Sequence, residues 1–192
     1  MTARTSTRAL LLCQAFGALG ALLLIVVAPF TSLIAVFSPP LYGLAAGMHS
    51  ILPFFARRVL GFPFAATAVS ASVGFLGGAF TPIGLLIMIP LTLSGFSYDL
   101  TLLIANRVVP VGPTSRWRYP LAAAASAVAL FLVSLPVMSP EHLTLPVQSA
   151  TLGARLAGQL AASFLAGLLA RRVGRAGIID PVAAPQEERT SA

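Results

Sequence analysis

Apolar residues run through this chain in blocks of fifteen to twenty-three, and polar residues are concentrated between the blocks. The hydrocarbon core of a bilayer is crossed by about 20 apolar residues in a helix. The blocks predict six membrane-spanning helices: Ala9 to Ala28, Leu41 to Phe55, Phe62 to Phe80, Ile83 to Ala105, Tyr119 to Met138 and Ala150 to Ala170. The stretch Pro29 to Pro40 is too short to cross and reads as an interfacial or re-entrant piece. Pro63 suits the first turn of the third span, and Pro90, about two turns into the fourth, predicts a kink. The linker Asn106 to Arg118 leaves the membrane, and Pro181 to Ala192 reads as a disordered tail. The expected organisation is a cytoplasmic segment 1–8, a transmembrane domain 9–177 and a cytoplasmic tail 178–192, in an all-α integral membrane protein of the cell's inner (plasma) membrane.

Composition agrees with this solvent. Only 9% of the 192 residues are charged, against about a quarter in soluble domains, and mean hydropathy is +0.92. The net charge of +7 rests on twelve basic residues, all arginine, lying singly or in pairs near span ends. That pattern is topological and is no nucleic-acid footprint. With the amino terminus inside, eleven of the twelve arginines fall on the cytoplasmic side, as the positive-inside rule requires. Both termini are then cytoplasmic, and Arg155 is the exception. Arg4 and Arg8 precede an apolar run, as in a signal peptide, but the run is too long and lacks a cleavage site, so it reads as a retained helix.

Small residues recur every four positions in the third span (Ala66, Ser70, Gly74, Gly78) and the sixth (Ala150, Ala154, Gly158, Ala162, Ala166, Ala170). Such stripes let helix backbones approach closely. They serve either packing within the bundle or docking of a partner. Gly17 and Ala21 share the spacing in the first span.

Ionisable groups inside a span are costly, and each is a candidate for function. Arg155 lies five residues into the sixth predicted span. Gln159 and Ser163 follow it on one face. Arg155 either lines an outward pocket with Gln159, or snorkels to the interface or pairs with Glu141. Asp99, beside Ser94, Ser97 and Tyr98, either binds ligand at a pocket floor or caps a neighbouring helix. His49, in the middle of the second span, is a hydrogen-bonded core residue or a ligand contact, and Gln14 is a weaker candidate. The single Cys13 excludes an intramolecular disulfide, no Cys/His cluster offers a metal, and no cofactor is implied. Nucleotide-binding P-loops and serine-nucleophile elbows are absent from the sequence, which disfavours an enzyme.

The run Leu41-Tyr42-Gly43-Leu44-Ala45-Ala46-Gly47, then Arg57-Arg58 with Gly61-Phe62-Pro63, then Ser94-Gly95-Phe96-Ser97-Tyr98-Asp99, resembles the substrate-binding S components of energy-coupling-factor ABC transporters. The closing helix, with Arg155, Gly158 and Gly167 before Arg171-Arg172, fits the same family. The resemblance covers 9–177 and is greatest to the hydroxymethylpyrimidine/thiamine-type branch. It implies a six-helix bundle with an outward-opening vitamin pocket. It also implies docking through small residues of the first span, here Gly17 and Ala21, onto a membrane coupling (T) subunit driven by two cytoplasmic ATPases. The expected contacts to the vitamin or its precursor are Arg155, Gln159, Asp99, Tyr98, Glu141 and His49. A cationic thiazolium needs an acid or an aromatic face, supplied by Asp99, Glu141 or Tyr98. Two other classes remain: a membrane-embedded enzyme or assembly factor using Asp99 and His49, and a self-sufficient small transporter.

Overall fold

The chain folds as a bundle of helices with no strand among the described residues; the structure, a computed structural model, describes residues 7–108 and 117–177. Most of the 106–118 linker, the tail 178–192, Arg4, Arg116 and Arg189 lie outside them. Four helical stretches are long and apolar enough to cross a membrane: Thr7–Phe37, Gly84–Val108, Arg118–Val137 and Leu145–Arg175. The protein is therefore a multi-pass membrane protein.

Helix α1 (Thr7–Phe37) continues straight through the predicted stop at Pro29. The expected interfacial piece 29–40 does not form. In lipid only intrahelical hydrogen bonds satisfy the backbone, so an apolar chain stays helical past one proline. In the turn containing Pro29, the Thr31 hydroxyl lies 3.2 and 3.1 Å from the carbonyls of Val27 and Ala28. The helix ends where Ser38, forced into extended backbone (φ −152°, ψ 92°) by the following proline, introduces Pro39 and Pro40 as the first residues of α2 (Pro39–Ala45).

The second predicted span is a broken helix: α2, a 3₁₀ segment Ala46–Ser50, and α3 (Ile51–Leu60). It passes the expected boundary at Phe55 and stops at Gly61, whose φ of +70° provides a left-handed cap. Helix α3 is the hub. Seven of its ten residues are buried, and it contributes to both apolar cores. One joins Phe54 and Phe55 to Tyr98, Ala122, Ala123 and Ala162; the other joins Ala56 and Leu60 to Cys13, Leu24, Val69 and Val73. Phe54 stacks on Tyr98 at 3.7 Å between ring centroids.

Helix α4 (Ala65–Gly78) begins after Phe64, a non-glycine in left-handed backbone (φ 63°), so Pro63 precedes the helix instead of opening it. A 3₁₀ turn Gly84–Ile87 leads into α5 (Met88–Val108). Pro90 falls in the first turn of α5, where its missing N–H leaves no interior bond broken; a change of helix type at Met88 replaces the predicted kink. After α6 (Arg118–Ser134), α7 (Leu145–Arg175) opens with Pro146 and starts five residues before the predicted Ala150.

Packing order around the bundle is α1, α4, α5, α6, α7 and back to α2, with α3 against α1, α4 and α7. Glycine sets the seams. A Cβ at Gly95 would lie 2.6 Å from the Ala66 carbonyl oxygen and from Ser70 Oγ, and one at Gly74 would meet the Met88 backbone at 2.6 Å. The α4 stripe thus serves α5. Where α7 crosses α2 and the 3₁₀ segment, a Cβ on Gly47 would lie 2.6 Å from the Gly158 backbone, and one on Gly158 would lie 2.6 Å from the Leu44 carbonyl oxygen. Internal packing absorbs both stripes at these positions.

Two glycines of α7 separate these effects. Gly158→Ala should destabilise the detergent-solubilised protein by about 1–3 kcal/mol through overpacking. Gly153→Ala, where a Cβ meets nothing within 4 Å, should be neutral or stabilise by up to about 1 kcal/mol. Thermal unfolding of the two variants measures the contrast.

Candidate functional site

Eight of the nine described arginines, Arg8, Arg57, Arg58, Arg107, Arg118, Arg171, Arg172 and Arg175, lie at the end of the bundle formed by the start of α1, the ends of α3, α5 and α7 and the start of α6. A cavity of about 250 Å³ opens towards the other end. Its walls are the second half of α1, the α2–3₁₀ segment, the turn at Thr81–Ile83, the start of α5 and Leu130 of α6.

Most of the lining is apolar, and the polar groups are few. Thr31 is spent on carbonyls of its own helix. The Thr81 hydroxyl is held between the carbonyls of Gly78 and Gly84 at 3.0 and 3.2 Å. Ser32, Tyr42 and His49 have no side-chain hydrogen-bond partner among the described residues, while the hydroxyls of Ser50 and Ser94 lie 3.3 Å apart in the wall. No aspartate or glutamate lines the cavity. A small apolar chamber with a few convergent polar groups is the usual form of a small-molecule site. The 3₁₀ segment is what places His49 and Ser50 on this wall, because Gly47 lets the chain press against α7 there.

His49 is the one predicted contact that lines the cavity. Its Nδ1 is buried without a hydrogen-bond partner. Arg155 and Gln159 stand behind the wall. Arg155 is 5% exposed, its guanidinium carbon lies 5.7 Å from the centre of the Tyr42 ring, and its Cγ packs against Gly43. Because α7 starts at Leu145, Arg155 is ten residues into the helix, ~15 Å along its axis, deeper than the five residues expected. Among the described residues no carboxylate pairs with it. Glu141 instead sits in the exposed α6–α7 connection, accepting a hydrogen bond from Ser139 at 3.2 Å. Arg155 Nε and Gln159 Oε1 are buried and unpartnered.

Asp99 and Tyr98 lie elsewhere, at the arginine-rich half. Arg57 Nε stands 2.9 Å from Asp99 Oδ1. The Thr67 backbone N–H and hydroxyl both donate to Oδ2 at 2.8 Å. Thr67 is in the first turn of α4, so this carboxylate caps a neighbouring helix at the positive end of its dipole. Tyr98 is fully buried under Phe54, with its hydroxyl beside Arg58 and Ser163. Arg58 in turn donates to Ser163 carbonyl and hydroxyl oxygens at 3.0 and 2.9 Å and covers the Tyr119 ring at 3.8 Å. Gly17 and Ala21 are buried in the α1–α4 seam, where a Cβ on Gly17 would lie 2.5 Å from Ser72 Cβ. Gln14 accepts from Ser72 in the same seam at 3.1 Å.

Sequence reasoning missed Arg57 as a partner because it ended the second span at Phe55 and left the arginine in water. An aspartate inside a span calls for a base on a neighbouring helix, and Arg57 was the signal. Tyr42, Ser50 and Ser94 had no signal beyond being polar in apolar runs.

No family model matches this chain, and no curated protein matches it in sequence. Among solved structures, it is similar to an S-component of an ECF transporter, with a TM-score of 0.81 and 19% identity over 93% of this chain and 90% of that one. At that identity the likeness establishes a shared fold.

Removing one partner of the Arg57–Asp99 pair should cost about 3–5 kcal/mol, since it strands a buried charge. The double variant Arg57→Met/Asp99→Leu should cost clearly less than the sum of the single changes. Unfolding measurements on the three variants in detergent give the cycle.

Proposed function

We propose that this chain is the substrate-capturing subunit of an energy-coupling-factor importer in the plasma membrane, and that it has no catalytic activity of its own. The observation that carries the proposal is the small, mostly apolar cavity at one end of a bundle that shares the fold of an S-component along nearly its whole length. In this reading six crossings bring both termini to the cytoplasm. The short α4 and the broken α2–α3 helix are two of the crossings, and the eight clustered arginines mark the cytoplasmic end. The cavity then faces outward.

The solute is hydroxymethylpyrimidine or thiamine. The volume suits a compact solute, and Tyr42 supplies an aromatic face for a planar ring. With no carboxylate in the lining, a cationic thiazolium would rest on aromatic contact alone, so the pyrimidine is the part this lining is equipped to recognise. His49 contacts the solute directly. Arg155 and Gln159 act on it through the wall that carries Tyr42. Asp99, Tyr98 and Glu141 serve structure, not binding. The coupling subunit and two ATPases supply the energy. Gly17 and Ala21 are committed to α4, so docking on α1 falls to its outward face, which carries Leu19, Leu22 and Val26.

Purified protein should bind hydroxymethylpyrimidine or thiamine with a Kd of about 1 µM or lower by calorimetry. His49→Ala and Tyr42→Ala should each weaken binding about tenfold or more, the worth of roughly 1.4 kcal/mol. Failure of both compounds to bind a well-folded preparation refutes the substrate assignment. Arg155→Ala should abolish binding and still insert. Collapse of expression with normal binding by the residual protein would instead make Arg155 purely structural.

A further inference from the structure

Three serines from three helices form a chain behind the cavity floor. Ser126 Oγ of α6 lies 2.8 Å from Ser94 Oγ of α5, which lies 3.3 Å from Ser50 Oγ at the end of the 3₁₀ segment. Ser50 and Ser94 line the cavity, while Ser126 lies outside the lining and is wholly buried. Each hydroxyl has one proton to give. Neither Ser50 nor Ser126 makes any other side-chain hydrogen bond.

The two bonds allow three arrangements, because each hydroxyl donates once and each oxygen can accept twice. If Ser50 donates to Ser94 and Ser94 to Ser126, the last proton is stranded on a hydroxyl with no acceptor and no solvent. Leaving such a buried donor unmade costs about 1–3 kcal/mol. If Ser126 donates to Ser94 and Ser94 to Ser50, the proton left over is that of Ser50; if Ser94 accepts from both, the proton left over is its own, and both serines stand at the cavity wall, where a solute takes it. Neither of these two strands a proton, so the surplus donor sits on Ser50 or Ser94 and never on Ser126.

We infer that the three serines present one O–H donor to the cavity, on Ser50 or Ser94, that Ser126 keeps it turned outward as a positioning residue, and that the solute offers a hydrogen-bond acceptor, such as an aromatic ring nitrogen or a carbonyl oxygen, at that point. This rests on the cavity being the substrate site. A heteroaromatic pyrimidine meets the requirement with either ring nitrogen, and His49, next in the chain, offers a further donor or acceptor according to its tautomer.

The test compares hydroxymethylpyrimidine with the two pyridines in which one or the other ring nitrogen is replaced by C–H, by calorimetry on full-length protein. The wild type should bind one of the pyridines about tenfold or more weakly than the parent, the value of one hydrogen bond of roughly 1.4 kcal/mol. Ser50→Ala or Ser94→Ala, whichever removes the donor, should bring that ratio to within about twofold of unity, and the matching Thr variant, which keeps the hydroxyl, should restore it. Ser126→Ala, by freeing the direction of the chain, should shrink the ratio about threefold. A merely structural loss weakens parent and analogue together and leaves the ratio standing. A wild type indifferent to both replacements, or a ratio unchanged by both Ser50→Ala and Ser94→Ala, overturns the inference and leaves the importer reading intact. If none of the three compounds binds folded wild-type protein, the substrate reading fails and this assignment fails with it.

Discussion

Helix α3 carries two adjacent arginines that reach different neighbours, and the arginine-rich half of the bundle is built on that divergence. Arg57 pairs with Asp99 of α5, whose second oxygen caps α4 through Thr67. Arg58 bonds Ser163 of α7 and covers Tyr119 of α6. Successive residues on a helix point about 100° apart, so one pair of side chains joins five helices through a single hub. Burying these charges is tolerable because each meets a partner of complementary chemistry.

The rest of the bundle is held by closeness instead of charge. Lipid removes the hydrophobic drive between helices, leaving van der Waals contact as the main attraction. At Gly95 and Gly158 there is no room for one more carbon. Tightness at the α2–α7 crossing has a consequence for chemistry, because the same contact turns the 3₁₀ segment so that His49 and Ser50 face the cavity. The two ends of the molecule thus differ in character. One is locked by an ion pair and a cation–aromatic contact; the other keeps a small, mostly apolar chamber.

Sequence by itself determined the solvent, the helical class and the approximate position of every helix, because a run of apolar residues in lipid has no alternative to satisfying its own backbone. It also picked out Arg155, Gln159, Asp99 and His49 as the unusual intramembrane polar groups, since their cost is a local property. The stop expected at Pro29, the helix start at Pro63 and the interior position of Pro90 differ in the structure, because the outcome depends on neighbouring turns. What only the tertiary structure decided is who meets whom: that Asp99 belongs to Arg57, that Gly17 and Ala21 are spent on α4, that Arg155 stands behind Tyr42, and that three serines far apart in sequence form one hydrogen-bonded chain. Those pairings depend on rotation and depth of each helix against its neighbours, and side-chain spacing along one helix carries no information about the helix beside it.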